Sequence, residues 1–177
     1  MHALIVYESM FGNTQAIAQA IADGLSPHHE VRVEEVDRAP GRLDDDVALL
    51  VVGGPTNAFG MSRRRTRTDA STQVGTAPTV TSVETGLREW LDTLQVPPAR
   101  TRAVTFDMGV ARPRLPGSAA RRAERRLRRL GYPIHGPATS FWVTGAKGPL
   151  VDGELERARR WGSMLGESIG TTQRHPS

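Results

Sequence analysis

Short apolar segments alternate along this chain with segments of helical periodicity, and this alternation constrains the fold more than any other feature. Leu4–Tyr7 and Val47–Val52 are wholly apolar, which is typical of strands buried on both faces of a parallel sheet. Between them, Ile17, Ile21 and Leu25 recur at the spacing that places side chains on one face of a helix. The pattern predicts strands joined by helices that pack on the sheet.

The same alternation continues to the C-terminus. The predicted strands are Leu4–Tyr7, Glu30–Val36, Val47–Val52, Thr101–Gly109 and Ala138–Gly145. The first predicted helix runs from near Thr14 to near Leu25, and the second from near Val83 to near Leu94. The third begins after Ser118 as N-cap and ends near Leu130, and the fourth runs from near Gly153 to near Ser168. This order favours a doubly wound α/β fold of three layers, with a five-stranded parallel sheet in the order 2-1-3-4-5. We expect one domain over residues 1–170 and a flexible tail over residues 171–177.

Composition limits the classes of function that are open to the chain. Its 177 residues include no cysteine, which excludes disulfides, thiolate metal sites and cysteine nucleophiles. No stretch approaches the roughly 20 apolar residues of a membrane helix, and the first strand begins without a secretion leader. We therefore expect a cytoplasmic protein that does not span a membrane.

The chain is basic, with a formal net charge of +4 and a pI near 10.5, because arginines cluster in two runs. These runs are Ser62–Arg67, in a long segment without periodicity over residues 61–82, and Ala120–Leu130. Such runs attract phosphate, nucleic acid or an acidic protein, but a solvated helix face is their more common explanation. Nucleic acid is the least favoured partner because neither interleaved aromatic residues nor a base-reading motif accompanies the arginines.

The loop Ser9–Thr14 joins the first predicted strand to the first predicted helix at the point where the sheet order reverses. A helix N-terminus offers unpaired N–H groups, and Gly12 permits close approach of the backbone. The side chains of Ser9, Asn13 and Thr14 can donate hydrogen bonds to phosphate oxygens. The loop contains neither GxxxxGK[ST] nor GxGxxG, which disfavours nucleoside triphosphates and dinucleotides. A monophosphate fits better, and the alternative is that the loop only caps the helix.

Two further loops leave the sheet at the same edge. Gly53–Gly60 contains Phe59 as a flat apolar surface, and Phe106–Gly117 follows the neighbouring strand. Together with the first loop they predict a site for a phosphorylated flat ring. We find no catalytic acid–base pair, because none of the five scattered histidines pairs with a nearby carboxylate in a recognisable sequence motif. Asp44–Asp46 lack the spacing of a calcium loop and are expected to form a solvated turn.

Two of these loops resemble those of flavodoxin-like proteins, and the resemblance extends over residues 1–170. The sequence of Tyr7–Thr14 is similar to the flavodoxin phosphate loop T/S-x-T-G-x-T, and Gly53–Gly60 to the G-x-P-T loop beside the flavin ring. An aromatic residue at Phe11 resembles the branch that contains quinone reductases. The resemblance implies FMN as cofactor, with its phosphate at Ser9–Thr14 and its ring between the second and third loops.

Through this resemblance we predict sixteen FMN-binding residues and neither a catalytic side chain nor a metal site. They are Ser9, Met10, Phe11, Gly12, Asn13, Thr14, Pro55, Thr56, Asn57, Ala58, Phe59, Gly60, Phe106, Asp107, Met108 and Gly109. The resemblance implies an electron-transfer protein with a redox partner, or a small oxidoreductase that uses a quinone or a pyridine nucleotide. The alternative is a binding or regulatory module without FMN, which Phe11 and the missing tyrosine in the third loop favour.

Overall fold

The structure is a computed structural model, and it describes residues 1–56, 61, 86–114 and 116–172. Its strands are β1 (His2–Tyr7), β2 (Glu30–Glu35), β3 (Val47–Pro55), β4 (Arg102–Val110) and β5 (Thr139–Val143). The helices of the described residues are α1 (Asn13–Leu25), α2 (Leu87–Thr93), α3 (Ala119–Arg129) and α4 (Glu154–Thr172). Most of the arginine-rich segment over residues 61–82 lies outside the described residues, as do residues 173–177 of the predicted tail.

All five strands are parallel and lie in the order β2-β1-β3-β4-β5, which confirms the predicted α/β sheet. Ile5 of β1 pairs with Val33 of β2 on one side and with Val51 of β3 on the other. The order therefore reverses at β1. The loops that follow β1 and β3 leave the sheet side by side, which is where ligands bind in folds of this kind.

The pleat of β1 divides the core into two layers. Ala3, Ile5 and Tyr7 face the cluster that contains the buried side chains of α1 and α4. Leu4 and Val6 face the cluster that contains the buried side chains of α2 and α3. Because both faces of the strand are covered, all five of these residues are buried, and this explains the uninterrupted apolar run in the sequence.

The helices follow the predicted pattern with two differences in extent. Ser118 caps α3 as predicted, since its hydroxyl accepts the N–H of Arg121. The first helical residue of α2 is Leu87, while Val83, where we predicted that helix to begin, lies outside the described residues. The last helix continues to Thr172, past its predicted end at Ser168. Within the described residues, no helix combines the length and the apolar character needed to cross a bilayer.

The structure places His2 beside two carboxylates that are distant from it in the sequence. Its Nε2 lies 2.8 Å from Glu30 Oε2, and its Nδ1 is hydrogen-bonded to Asp46 Oδ2. Asp46 was predicted to be part of a solvated turn, but parallel pairing brings that turn next to the start of β1. The hydrogen bonds that His2 donates to Glu30 and Asp46 raise its pKa above the usual value of 6.5.

We expect this cluster to make folding stability depend on pH. Because the pKa of His2 is higher in the folded state, its stabilisation is complete below pH 6.5 and is lost as the pH rises through the raised pKa. The urea midpoint of the wild type should therefore fall more between about pH 5.5 and about pH 9 than that of His2→Gln, because this interval contains both the usual histidine pKa and the raised one. Parallel pH profiles for the two proteins would contradict the pairing.

Candidate functional site

A cleft of about 180 Å³ opens at the carboxyl edge of the sheet, where the strand order reverses. The loop after β1 and the start of α1 contribute Met10, Phe11, Asn13 and Thr14. The ends of β3, β4 and β5 and the residues that follow them contribute Pro55, Thr56, Met108, Gly109, Val110, Val143 and Ala146. The structure thus brings all three predicted loops to one cleft.

The loop after β1 turns sharply at Gly12, whose φ of 83° lies in the left-handed region. Ser9 is fully buried, and its hydroxyl accepts the N–H of Gly12 at 3.0 Å. Ser9 therefore shapes the turn from within instead of facing the cleft. A Cβ added to Gly12 would meet no atom within 4 Å, so the space beside this turn is open.

The N-terminus of α1 presents backbone donors beside the cleft. Within the described part of the chain, the backbone amides of Asn13, Thr14 and Gln15 donate to no protein acceptor, and no side chain caps the helix. The Thr14 side chain lines the cleft beside them. Three unpaired N–H groups and a hydroxyl at the positive end of a 13-residue helix form a donor set that suits a phosphate group.

Beyond this polar end, the walls of the cleft are apolar. Phe11 and Pro55 stand on the β1 and β3 side, and Met108, Val110 and Val143 stand on the β4 and β5 side. The Asn13 side chain links the two sides of the cleft, since its Nδ2 donates a hydrogen bond to the carbonyl of Lys147, after β5, at 3.2 Å. A cleft with a polar anion seat at one end and apolar walls fits a flat ring that carries one phosphate.

Asp107 joins the segments that form this cleft. Its Oδ2 accepts hydrogen bonds from Thr56 Oγ1 at 2.9 Å, Ser118 Oγ at 2.6 Å and the Ala120 N–H at 3.0 Å. Thr56 Oγ1 in turn accepts the N–H of Ala119 at 3.0 Å. One buried carboxylate therefore ties the end of β3 and the start of α3 to β4.

The structure places Phe106 and Asp107, two of the predicted FMN-binding residues, outside the lining of the cleft. The Phe106 ring is fully buried, and it meets Phe141 and Trp161 edge to face at centroid distances of 6.1 and 6.4 Å. Phe106 pairs in register with Gly53, and a Cβ there would lie 2.1 Å from the ring, so Gly53 makes room for it in the core. Asp107 is 1% exposed, and its carboxylate accepts the three hydrogen bonds described above.

The other predicted residues divide into three groups. Eight line the cleft, namely Met10, Phe11, Asn13, Thr14, Pro55, Thr56, Met108 and Gly109. Ser9 and Gly12 form the turn beside it, and Asn57–Gly60 lie outside the described residues. Sequence reasoning missed Val110, Val143 and Ala146, whose small apolar side chains carry no chemical signal; only the adjacency of β4 and β5 pointed to them.

Glu154 holds the end of β5 in place. Its Oε2 accepts the N–H of Trp142 at 2.8 Å, and its carboxylate is paired with Arg157 at 2.7 Å. Burial alone would raise the pKa of Glu154, but the hydrogen bonds from Arg157 and Trp142 and the Arg157 charge outweigh burial and hold the pKa below its usual value.

In the described ranges, no group of three or more histidine, aspartate or glutamate side chains could hold a metal ion.

Comparison with known proteins agrees with this geometry. A family model described as flavodoxin matches residues 5–72, which include the loops after β1 and β3. No curated protein matches the chain.

Three solved structures illustrate the structural likeness. A flavodoxin from the domain Archaea is 18% identical, with a TM-score of 0.62 over 96% of this chain and 99% of that one. Oxidised flavodoxin 1 of Bacillus cereus is 16% identical, with a TM-score of 0.64 over all of both chains. Rubredoxin oxygen:oxidoreductase of Desulfovibrio gigas is 15% identical, with a TM-score of 0.61 over 98% of this chain and 37% of that one. At these identities the likeness shows the fold alone.

Proposed function

We propose that the chain binds FMN in the cleft at the carboxyl edge of the sheet and acts in electron transfer; the flavodoxin family model that matches residues 5–72 and the flavodoxin-like fold support this proposal. The observation that carries this proposal is the open N-terminus of α1, with three amides that lack a protein acceptor beside a cleft with apolar walls. FMN, when bound, supplies the one-electron and two-electron chemistry.

In this proposal the chain binds and orients the cofactor through two sets of groups. The amides of Asn13, Thr14 and Gln15 and the Thr14 hydroxyl hold the phosphate, since they are donors at the positive end of a helix. Phe11, Pro55 and Met108 enclose the ring and exclude water from it. Asn57–Gly60, which follow β3 in sequence, stay predicted contacts of the ring.

Asp107 is a positioning residue in this scheme. It touches no part of the cleft, but it holds Thr56, whose side chain lines the cleft, and the start of α3. The electron partner is proposed to be either a second redox protein or a small quinone or pyridine nucleotide, as the resemblance to the superfamily implies.

One observation favours a second candidate, a binding module that does not use FMN. In the described part of the third loop, no aromatic side chain lines the cleft, because Phe106 is buried in the core. A flavin ring there would lack an aromatic partner from that side. Titration with FMN separates the two candidates.

We expect the purified protein to quench the fluorescence of added FMN in a saturable titration. In Thr14→Val the hydroxyl is lost while the side-chain shape is kept, and the FMN affinity should fall about tenfold or more, since a hydrogen bond to a charged group contributes about 1.5–3 kcal/mol. Thr93→Val, which removes a hydroxyl at the far end of α2, serves as the control and should bind like the wild type. Absence of quenching by the wild type would favour the module without FMN.

A further inference from the structure

A groove between α2 and α3 is lined by arginines. It measures about 300 Å³, and five of its eight lining residues are Arg88, Arg122, Arg125, Arg126 and Arg129. The remaining three are Asp92, Leu91 and Met61. Five guanidinium groups therefore meet a single carboxylate, which leaves an excess of four positive charges in one groove.

A second depression lies on the opposite side of α3. Its lining consists of Arg121, Glu124, Arg125 and Arg128 of α3 and of Ile134, Gly136, Pro137 and Ala138, which precede β5. Arg125 lines both depressions, so α3 forms a ridge with arginines on each flank. We call this surface the arginine face; it comprises Arg88, Arg121, Arg122, Arg125, Arg126, Arg128 and Arg129.

Among the residues that the structure describes, most of these arginines have no carboxylate partner. Arg126 pairs with Asp92, and Arg128 pairs with Glu124 at 2.9 Å. Within the described part of the chain, the other five members of the arginine face form no ion pair. In addition, the Nε–H groups of Arg88 and Arg126 are buried without an acceptor. The arginine face is therefore not neutralised by the described residues.

The arrangement on α3 also opposes helix stability. Arg121 and Arg125, Arg122 and Arg126, and Arg125 and Arg129 are like-charged pairs four residues apart. The first turn of α3 contains no acidic residue, although the helix dipole favours one there. A solvated helix face would have no reason to concentrate repulsion in this way. An anionic partner would relieve it.

The dimensions and chemistry of the arginine face indicate which anion fits. α3 has 11 residues and is about 16 Å long, so a single small anion in one groove cannot neutralise arginines on both flanks. Among the described residues that line either depression, none is aromatic and none is an asparagine or a glutamine, so bases would be neither stacked nor read. Arginine beside a partly buried apolar side chain such as Met61 is instead typical of protein interfaces.

We propose that the arginine face docks an acidic segment of a partner protein, with carboxylates bound to the guanidinium groups on both flanks of α3. Planar guanidinium groups bind carboxylates in a bidentate manner, which gives such a contact both strength and geometry. The proposal does not depend on FMN, because the arginine face shares no lining residue with the cleft at the carboxyl edge of the sheet.

The test uses a rhodamine-labelled dodecaglutamate peptide and measures its fluorescence anisotropy with the full chain at low and at high salt. We expect saturable binding at low salt that weakens as salt screens the charges. In Arg125→Glu, which reverses the charge shared by both depressions, the affinity should fall about tenfold or more. The control is Arg160→Glu, an exposed arginine of α4 without an ion pair in the described structure, which should bind like the wild type.

Arg125→Glu should also fold well, which keeps the test decisive. The new carboxylate would lie four residues from both Arg121 and Arg129, so repulsion becomes attraction and the unfolding temperature should equal or exceed that of the wild type. Equal peptide binding by the wild type and Arg125→Glu would overturn the proposal. Tighter binding of short duplex DNA or of pyrophosphate than of the peptide, with the same loss in Arg125→Glu, would overturn the acidic protein as occupant.

Discussion

Asp107→Ala is expected to lower the free energy of unfolding by about 3–5 kcal/mol, a large share of the total for a domain of this size. The carboxylate accepts three hydrogen bonds, and alanine leaves the hydroxyls of Thr56 and Ser118 and the Ala120 N–H without this acceptor. Each buried donor left unsatisfied costs about 1–3 kcal/mol, and the losses overlap because the donors share one atom. Urea denaturation followed by circular dichroism measures the change.

Two further variants make the expectation about Asp107 specific. Asp107→Asn keeps a side-chain oxygen as acceptor, so it should lose less stability than Asp107→Ala. Asp45→Ala, at an exposed position with no contact in the described structure, should stay within about 0.5 kcal/mol of the wild type. If Asp107→Ala were as stable as Asp45→Ala, the carboxylate would not hold β3, β4 and α3 together.

Gly24→Ala is expected to destabilise the protein by about 1–3 kcal/mol or more, although glycine to alanine usually stabilises a helix interior by about 0.5–1 kcal/mol. A Cβ on Gly24 would lie 2.0 Å from the carbonyl oxygen of Arg159 and 2.8 Å from the Ser163 amide nitrogen, both backbone atoms of α4. Neither atom can move unless α1 and α4 separate. The two helices would then lose contacts along their shared face.

Gly170 provides the matched control for the expectation that alanine destabilises the protein at Gly24, although it usually stabilises a helix. It also lies in a helix, but a Cβ there meets no atom within 4 Å, so Gly170→Ala should be neutral or stabilising. Thermal unfolding of both variants under one condition compares them directly. Stabilisation of both would show that α1 and α4 are not in close backbone contact at Gly24.

The fold could be predicted from the sequence because its signals are local and repeated. Strands buried on both faces read as apolar runs, as in Val47–Val52, and the helices show one apolar face each. Ser118 could be predicted as a cap because a hydroxyl before a helix satisfies an otherwise unpaired N–H. The order of the strands then followed from the rules for parallel sheets.

The orientation of side chains at the cleft could not be predicted in the same way. Phe106 and Asp107 lie in β4, which is buried on both faces, so alternation gives no contrast between core and cleft. Their orientation is decided by residues distant in the sequence. Gly53 leaves room for the Phe106 ring, and Thr56 and the start of α3 supply hydrogen-bond donors to the Asp107 carboxylate. The partners of His2 likewise depend on strand register, which a single sequence does not display.

The most direct test of the central claim compares FMN with riboflavin, which has the same ring system without the phosphate. If the open N-terminus of α1 holds the phosphate, several hydrogen bonds to a charged group are lost with riboflavin, at about 1.5–3 kcal/mol each. Isothermal titration should therefore show riboflavin binding about a hundredfold or more weaker than FMN. Equal affinities for the two flavins would contradict a phosphate seat at this helix.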